Sequence, residues 1–199
     1  MKAKDFLLFF TFLLFLSCQD ENKLRIIEQK KEAEKMEIIF ANINKGWNFN
    51  AQPINETSRA LLTNWSEWRL FLKELSQKPK SSIGAFQKKA KTISKKATDL
   101  NNHIPFAYDK PEIKSRIAVI TTKVNAIDLF IHLNQIPDNK VVQLVQEVNS
   151  NLYSMQLQLD EIDRKNNIKT EDGEADMIRM LDTTRAIPNV QNPKLKPRK

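Results

Sequence analysis

The 199-residue sequence has one cysteine, three glycines and two histidines, and each scarcity excludes a class of site. A single cysteine cannot form a disulfide within the chain. Glycine permits the close backbone approach in phosphate-cradling loops and the tight turns of all-β folds, so both are disfavoured. The Glu-x-x-His, His-Glu-x-x-His, Cys-x-x-Cys-His and Gly-x-Ser-x-Gly motifs are all missing from the sequence. The sequence therefore predicts no enzyme activity, no metal site and no cofactor.

The first 17 residues have the organisation of a secretion signal. Lys2 and Lys4 precede an apolar run of eleven residues, from position 6 to position 16, interrupted only by Thr11. This run is too short to cross a bilayer, which needs about 20 residues, but signal peptides have apolar cores of about 7–15. The small residue Ser17 then precedes Cys18.

The stretch LFLSC at residues 14–18 resembles the lipobox of bacterial lipoproteins, with Phe15 where leucine is typical. The resemblance implies that residues 1–17 are removed and that Cys18 carries a diacylglycerol and, usually, an N-terminal acyl chain. Two or three acyl chains anchor a protein stably, whereas one gives only marginal binding. The alternative is an ordinary cleaved signal, or an uncleaved anchor, with an incidental cysteine.

The residues after Cys18 bear on the location. Asp20 and Glu21 resemble the acidic export signal of Bacteroidota surface lipoproteins. We therefore expect a lipid-anchored protein of the outer membrane, in the cell envelope, with its surface face and its periplasmic face both open as locations.

Helical periodicity dominates the rest of the chain. Apolar residues recur at alternating steps of three and four, which is typical of helices that pack side by side. Five segments show this spacing: residues 21–45, 61–75, 83–100, 113–131 and 141–162. Short connections between long amphipathic segments favour antiparallel neighbours. We therefore predict an all-α fold, an antiparallel up-and-down bundle of four to five long helices with a disordered C-terminal tail.

Polar residues predict where some of these helices begin. Ser81 or Ser82 is expected to cap the third segment, and Asp109 with Glu112 is expected to form a capping box before the fourth. The predicted organisation has four parts after the signal. They are a lipidated N-terminus with a first helix or stalk (18–52), a bundle core (53–168), a short helix or acidic segment (169–186) and a disordered basic tail (187–199).

Basic residues cluster in two places. Residues 77–98 contain seven lysines and no acid, and residues 185–199 contain five bases and no acid. Removal of the signal lowers the net charge from +8 to +7, because it takes away two lysines and one aspartate. We interpret the first cluster as a solvated face, which the acidic C-terminal segment complements when it packs nearby. The alternative is a basic surface, mainly the tail, that contacts anionic envelope polymers such as phosphorylated glycolipids; nucleic acid is not expected for an exported protein. The contact residues would be Lys88, Lys91, Lys95, Lys194, Lys196, Arg198 and Lys199.

Two aromatic groups are candidates for stacking on sugars or for a contact with a protein partner. Trp65 and Trp68 fit the stripe of the second segment and are predicted to be core. Trp47 and Phe49 follow Gly46 in a predicted loop and are the candidates for an exposed contact, although Trp47 also continues the stripe of the first segment.

One three-residue motif predicts a modification. Asp182-Thr183-Thr184 resembles the O-glycosylation acceptor of exported Bacteroidota proteins. The resemblance makes Thr183 a candidate glycosylation site.

The function expected from these features is that of a membrane-anchored, non-catalytic helical binding or structural module. One alternative is a bundle that binds a small apolar ligand such as haem or lipid in its core, with His132 and Met155 as the haem ligands. Another is an assembly protein that oligomerises through its first segment.

Overall fold

The structure is a computed structural model that describes residues 18–168 and 173–181. The predicted signal peptide, the candidate glycosylation site Thr183 and the basic tail lie outside the described residues. The tail includes the candidate contact residues Lys194, Lys196, Arg198 and Lys199.

The described part of the chain contains helices and no strand, so the all-α prediction is confirmed. The helices are α1 (Cys18–Gly46), α2 (Glu56–Asn64), α3 (Ser66–Ser76), α4 (Ile83–Asp99), α5 (Pro111–Ile131), α6 (Asp138–Asn166) and α7 (Glu174–Leu181). A 3₁₀ turn (Phe106–Tyr108) lies between α4 and α5. Among the described helices, none combines the length and the apolar character needed to span a bilayer.

The chain divides into two compact units between Asp163 and Arg164. The first unit holds α1 to α5 and most of α6. The second holds the last residues of α6 and the short helix α7, which occupies the segment where the sequence predicted a short helix.

The contacts in the first unit define the direction of each helix. Helices α4 and α5 are antiparallel. The side chain of Gln87 donates to the carbonyl of Ile131, and Ser94, further along α4, donates to the side chain of Asn125, which comes earlier on α5. The same antiparallel order joins α5 to α6, where Lys123 pairs with Glu147 and Arg116 bonds to Gln158. The up-and-down bundle predicted from the sequence is therefore confirmed.

Helix α1 closes the bundle by running parallel to α6. Asn42 donates to Asp138 at 2.6 Å, and Ile54, twelve residues later, donates its backbone N–H to Gln156 at 3.0 Å. The segment after α1 thus continues along α6 in the same direction. Gln156 is 1% exposed, and its side chain satisfies backbone groups of this segment that burial would leave without a partner.

Of the two predicted N-terminal helix caps, one is confirmed and the other is wrong. Ser82 caps α4 as expected, because its Oγ accepts a hydrogen bond from the N–H of Ala85 at 3.3 Å. The capping box of Asp109 and Glu112 is wrong, since the N-cap of α5 is Lys110, without a side-chain cap bond. The 3₁₀ turn places Asp109 one residue too early, and its carboxylate pairs with Lys114 at 2.7 Å instead.

The second predicted helix is broken in the structure. Trp65 has an extended backbone (φ −128°, ψ 94°) and separates α2 from α3. The guanidinium of Arg69 donates to the carbonyl of Leu62 at 3.2 Å, so a carbonyl near the break has a partner. Trp65 and Trp68 are both 0% exposed and stack at 5.9 Å, which confirms that they are core residues.

Helix α1 lies close against α6 at its last residue, Gly46. A Cβ added there would lie 2.6 Å from Cγ1 of Val142 and closer still to its Cγ2. Only a residue without a side chain permits this distance between the two helices.

We expect Gly46→Ala to lower the free energy of unfolding by about 1–3 kcal/mol, because overpacking forces Val142 or the helix to move. Gly84→Ala is the matched control, since the nearest atom to its added Cβ is Ser82 Oγ at 3.8 Å. The control should gain up to about 1 kcal/mol from helix propensity. Urea denaturation measures both, and adding Val142→Ala should rescue Gly46→Ala. A Gly46→Ala protein as stable as the parent would contradict the close approach.

Candidate functional site

Three lysines lie on one exposed face of α4. Lys88, Lys91 and Lys95 are exposed and are spaced three and four residues apart, so they follow one another over about 10 Å of helix. The opposite face of α4 is buried in the bundle. We call Lys88, Lys91 and Lys95 the basic stripe.

The lysines beside the basic stripe have structural partners. Lys89 pairs with Glu74 at 2.7 Å and donates to Gln77 at 3.1 Å, and Lys96 pairs with Asp99 at 3.7 Å. Within the described residues no ion pair or side-chain hydrogen bond involves the ammonium groups of the basic stripe. The stripe is thus a row of positive charges available to a ligand, at the positions that the sequence singled out.

A surface cleft of about 410 Å³ borders the basic stripe where the α3–α4 connection meets α4. Lys78, Lys88 and Lys89 line it together with Pro79 and Thr92. Because Lys89 is paired with Glu74, the ammonium groups of Lys78 and Lys88 supply the excess positive charge at this open cleft, which favours an anionic group over a neutral one.

The predicted contact at Trp47 is wrong. Trp47 is 2% exposed, and its ring packs edge-on against Phe86 at 5.1 Å and against Phe49 at 5.4 Å. Phe49 is half-buried against the core. The segment after α1 is held down because Asn149 bonds to the backbone of Asn48 and Asn50, so the ring of Trp47 is covered.

The residues proposed as haem ligands lie far apart. His132 is the exposed C-cap of α5, and its Nδ1 lies 2.7 Å from the carbonyl oxygen of Asp128. Met155 is buried on α6. The pairing of α5 with α6 places Met155 level with the first half of α5, about 20 Å from His132 along the helix. Among the described residues there is also no group of three or more His, Cys, Asp or Glu side chains that could hold a metal ion.

The loop between α4 and α5 presents an exposed aromatic side chain that the sequence did not predict. We call residues 100–110 the tip loop. Phe106 in this loop is 98% exposed, whereas Ile104 and Tyr108 pack against the core. The apolar residues of NNHIPFAYDKPE are visible in the sequence, but their spacing does not show which one faces solvent.

A histidine and a glutamate fasten the tip loop to α3. His103 has a positive φ of 54°, a left-handed conformation that is uncommon for residues other than glycine. Its Nδ1 lies 3.0 Å from Oε1 of Glu67, whose side chain is 16% exposed. An ionised carboxylate can only accept, so Nδ1 carries the hydrogen.

The pKa values of Glu67, which contacts the tip loop, and of Tyr108, which lies in it, are shifted in opposite directions. Burial raises the pKa of Glu67, but the hydrogen bonds from His103 and Ser66 outweigh it, so that the net pKa lies below its usual value. Burial and then the carboxylates of Asp163 and Asp160 raise the pKa of Tyr108, whose hydroxyl lies 3.4 Å from Asp163. The side chains of His103 and Tyr108 thus attach the tip loop to carboxylates of α3 and α6.

We expect the stabilising effect of Glu67 to disappear in acid. Because its pKa is lowered on folding, ionised Glu67 stabilises the protein above the unfolded value of about 4.3, and this contribution is lost as the pH falls through the folded pKa. The stability difference between the parent and Glu67→Gln should therefore be largest near neutral pH and should shrink below about pH 4. Urea denaturation over this range measures the difference.

His103→Asn supplies the control, since asparagine tolerates the left-handed backbone but lacks the imidazole. In that background Glu67→Gln should show a much weaker pH dependence. A stability difference that stays constant from neutral pH to pH 3 would contradict the role of the His103–Glu67 pair.

Comparisons of the chain with protein-family models, with curated proteins and with solved structures found no match. The function proposed below therefore depends on the residues and contacts of the chain itself.

Proposed function

We propose that this chain is a membrane-anchored envelope lipoprotein whose non-catalytic helical bundle is a binding or structural module. The sequence around Cys18 supports the anchor, and one structural observation supports the module. Residues 22–35 of α1 are all exposed, between the candidate lipidation site and the first half-buried residue.

The exposure along α1 shows where it leaves the bundle. Every residue from 22 to 35 is exposed, Met36 is the first half-buried residue, and Ile43 is 0% exposed. We call residues 18–35 the spacer. At 1.5 Å per residue, its 18 residues are about 27 Å long, close to the thickness of the hydrocarbon core of a bilayer.

The composition of the spacer suits a solvated helix. Residues 18–35 contain five acidic and five basic residues, and Glu32 forms an ion pair with Lys35 at 3.7 Å. Its few large apolar side chains are exposed, among them Leu24 and Ile27. Charged residues three and four positions apart give an exposed helix modest support. With acyl chains on Cys18 in the membrane, the spacer would hold the bundle about 27 Å from the anchor.

The anchor is tested by metabolic labelling of cells with a palmitate analogue. We expect the parent protein to be labelled and Cys18→Ala to lose the label, because the thiol is the acceptor. Ser17→Ala keeps a small residue before the cysteine and should keep the label. Protease treatment of intact cells then distinguishes the faces, since only a surface-exposed protein is cleaved. An unlabelled parent protein would contradict the lipoprotein assignment.

The basic stripe favours a second, more specific role, which is contact with anionic envelope polymers. Three exposed lysines without structural partners attract a polyanion by long-range electrostatics, and added salt screens that attraction. This role adds a ligand class to the module and requires no catalytic group.

Long-chain polyphosphate is a suitable probe for this role. We expect replacement of Lys88, Lys91 and Lys95 by glutamine to weaken its binding at least about tenfold at low salt, since a lysine near an anionic surface contributes about 1 kcal/mol. Replacement of the exposed Lys45, Lys73 and Lys140 removes the same charge elsewhere and is the control. Fluorescence titration of chains truncated before residue 187 separates the stripe from the basic tail. Equal losses in both triple variants would reject a specific stripe.

A further inference from the structure

One face of α1 carries a row of exposed residues with the spacing of a helix that pairs with another helix. Its members recur at alternating steps of three and four, and we call them the outer seam: Leu24, Ile27, Lys31, Glu34, Ile38 and Ala41. The large apolar members Leu24, Ile27 and Ile38 are 60%, 50% and 61% exposed. Single exposed apolar residues need no explanation, but a row with this spacing does.

The outer seam faces away from the bundle. Met36 and Phe40 pack against the core, and Ile43 is part of it. Each residue of an α-helix advances by about 100°, so Ile38 lies about 200° around α1 from both Met36 and Phe40. A second helix could therefore lie along the outer seam without meeting the bundle of this chain.

The apolar residues of the outer seam match a second copy of the seam in the antiparallel direction. When two copies are centred between positions 32 and 33, Ile27 of each lies opposite Ile38 of the other. In the same register Leu24 of each lies opposite Ala41 of the other. The apolar residues at both ends of the seam then contact apolar residues only, as in the core of a coiled coil.

The two charges at the centre of the outer seam select the same direction and register. In the antiparallel pair Lys31 lies opposite Glu34 of the second copy, and symmetry repeats the contact. In a parallel pair each would face the same residue of the second copy, which is a like charge. A shift by seven residues would place Ile27 opposite Lys31, or Ile38 opposite Glu34, and would bury a charge against an apolar side chain.

The charges beside the outer seam agree with this arrangement. On one side Lys30 lies next to Glu37 of the second copy, and on the other side Glu28 lies next to Lys35. In a parallel pair Lys30 would instead approach Lys35, a like charge.

Most of these charges have no structural role in one copy. Lys35 forms an ion pair with Glu32 at 3.7 Å, but both side chains are exposed, so the pair contributes little and can be exchanged. In the described part of the chain, no ion pair or side-chain hydrogen bond involves the other five: Glu28, Lys30, Lys31, Glu34 and Glu37. A second copy would therefore supply the first close opposite charge for each of them.

We propose that α1 pairs with α1 of a second copy, in an antiparallel dimer along the outer seam. The inference goes beyond the binding role proposed above, and the pairing depends on side chains of α1 rather than on the lipid. The seam spans 18 residues, or about 27 Å of helix. Confinement of both copies to one membrane raises their effective concentration, which favours an interface of this length.

The register also determines how the pair lies at a membrane. Cys18 of each copy lies level with Trp47 of the other, so the two anchors are about 43 Å apart along the helices. The bundle continues past Trp47 in the direction of α1, where Ile54 bonds to Gln156, so a second membrane facing the first would collide with it. Both anchors reach one membrane when the paired spacers lie along its surface.

Disulfide formation between introduced cysteines tests the pairing in the full-length protein in its native membrane. We expect a disulfide-linked dimer when one chain carries both Leu24→Cys and Ala41→Cys, because these positions lie opposite each other. Either substitution alone should give none, since the antiparallel pair holds the two copies of each position about 25 Å apart, too far for a disulfide. A parallel pair would give dimers from either single variant. The parent, with Cys18 alone, is the control.

An exchange of charge at the centre of the seam tests the register. In the chain with both cysteines, Lys31→Glu should slow dimer formation at least about tenfold, because two like charges then face each other twice. Adding Glu34→Lys should restore the parent rate, since it returns an opposite charge to each contact.

Two alanine variants separate the outer seam from the rest of α1. Ile27→Ala should slow dimer formation at least about fivefold, because it removes apolar area from two contacts. Ile26→Ala is the matched control, since Ile26 is 57% exposed but lies off the seam, and it should leave the rate unchanged. Both variants should unfold at the parent temperature, because neither side chain belongs to the core.

Three outcomes would overturn the proposal: a dimer from either single cysteine variant, no dimer from the double variant, or no restoration by Glu34→Lys. Palmitate labelling of the same membranes keeps the two proposals separate. A labelled protein without a dimer overturns the pairing alone, whereas a dimer without labelling overturns the anchor alone.

Discussion

The packing of Trp47 against Phe86 is the contact on which the rest of the arrangement depends. It joins the end of α1 to the start of α4, and Phe40, about two turns earlier on α1, contacts the same ring of Phe86. The neighbouring Gly46 lets this end of α1 lie directly on Val142 of α6. These contacts, with the buried Ile43 and the bond from Asn42 to Asp138, fix the direction of α1 and hence of the spacer relative to the bundle.

The bundle separates residues that stabilise it from residues that it presents. Lys89 is used in an ion pair with Glu74, while Lys88, one position earlier, points away from the core. Tyr108 is used to attach the tip loop, while Phe106 is presented. In both places one residue stabilises the bundle while a neighbour on the same helix or turn is exposed to solvent. The exposed side chains of Lys88 and Phe106 therefore have no structural role.

The sequence predicted the helices well because helix formation reports on local spacing. The third, fourth and fifth segments agree closely with α4, α5 and α6, and the cap at Ser82 agrees as well. Trp47 continues the apolar stripe of the first segment, although its neighbours Gly46 and Asn48 are typical of a loop. Burial of a large indole outweighed the loop context, as the stripe indicated.

The sequence by itself determined the helical class, the approximate helix boundaries and the exposed lysine row of α4, since each depends on residues within a few positions of one another. Only the tertiary structure decided the parallel pairing of α1 with α6, the break at Trp65 and the outward position of Phe106. The pairing depends on contacts between residues about one hundred positions apart, such as Ile54 with Gln156. No local pattern encodes such contacts, because they arise only when separate helices compete for the same core.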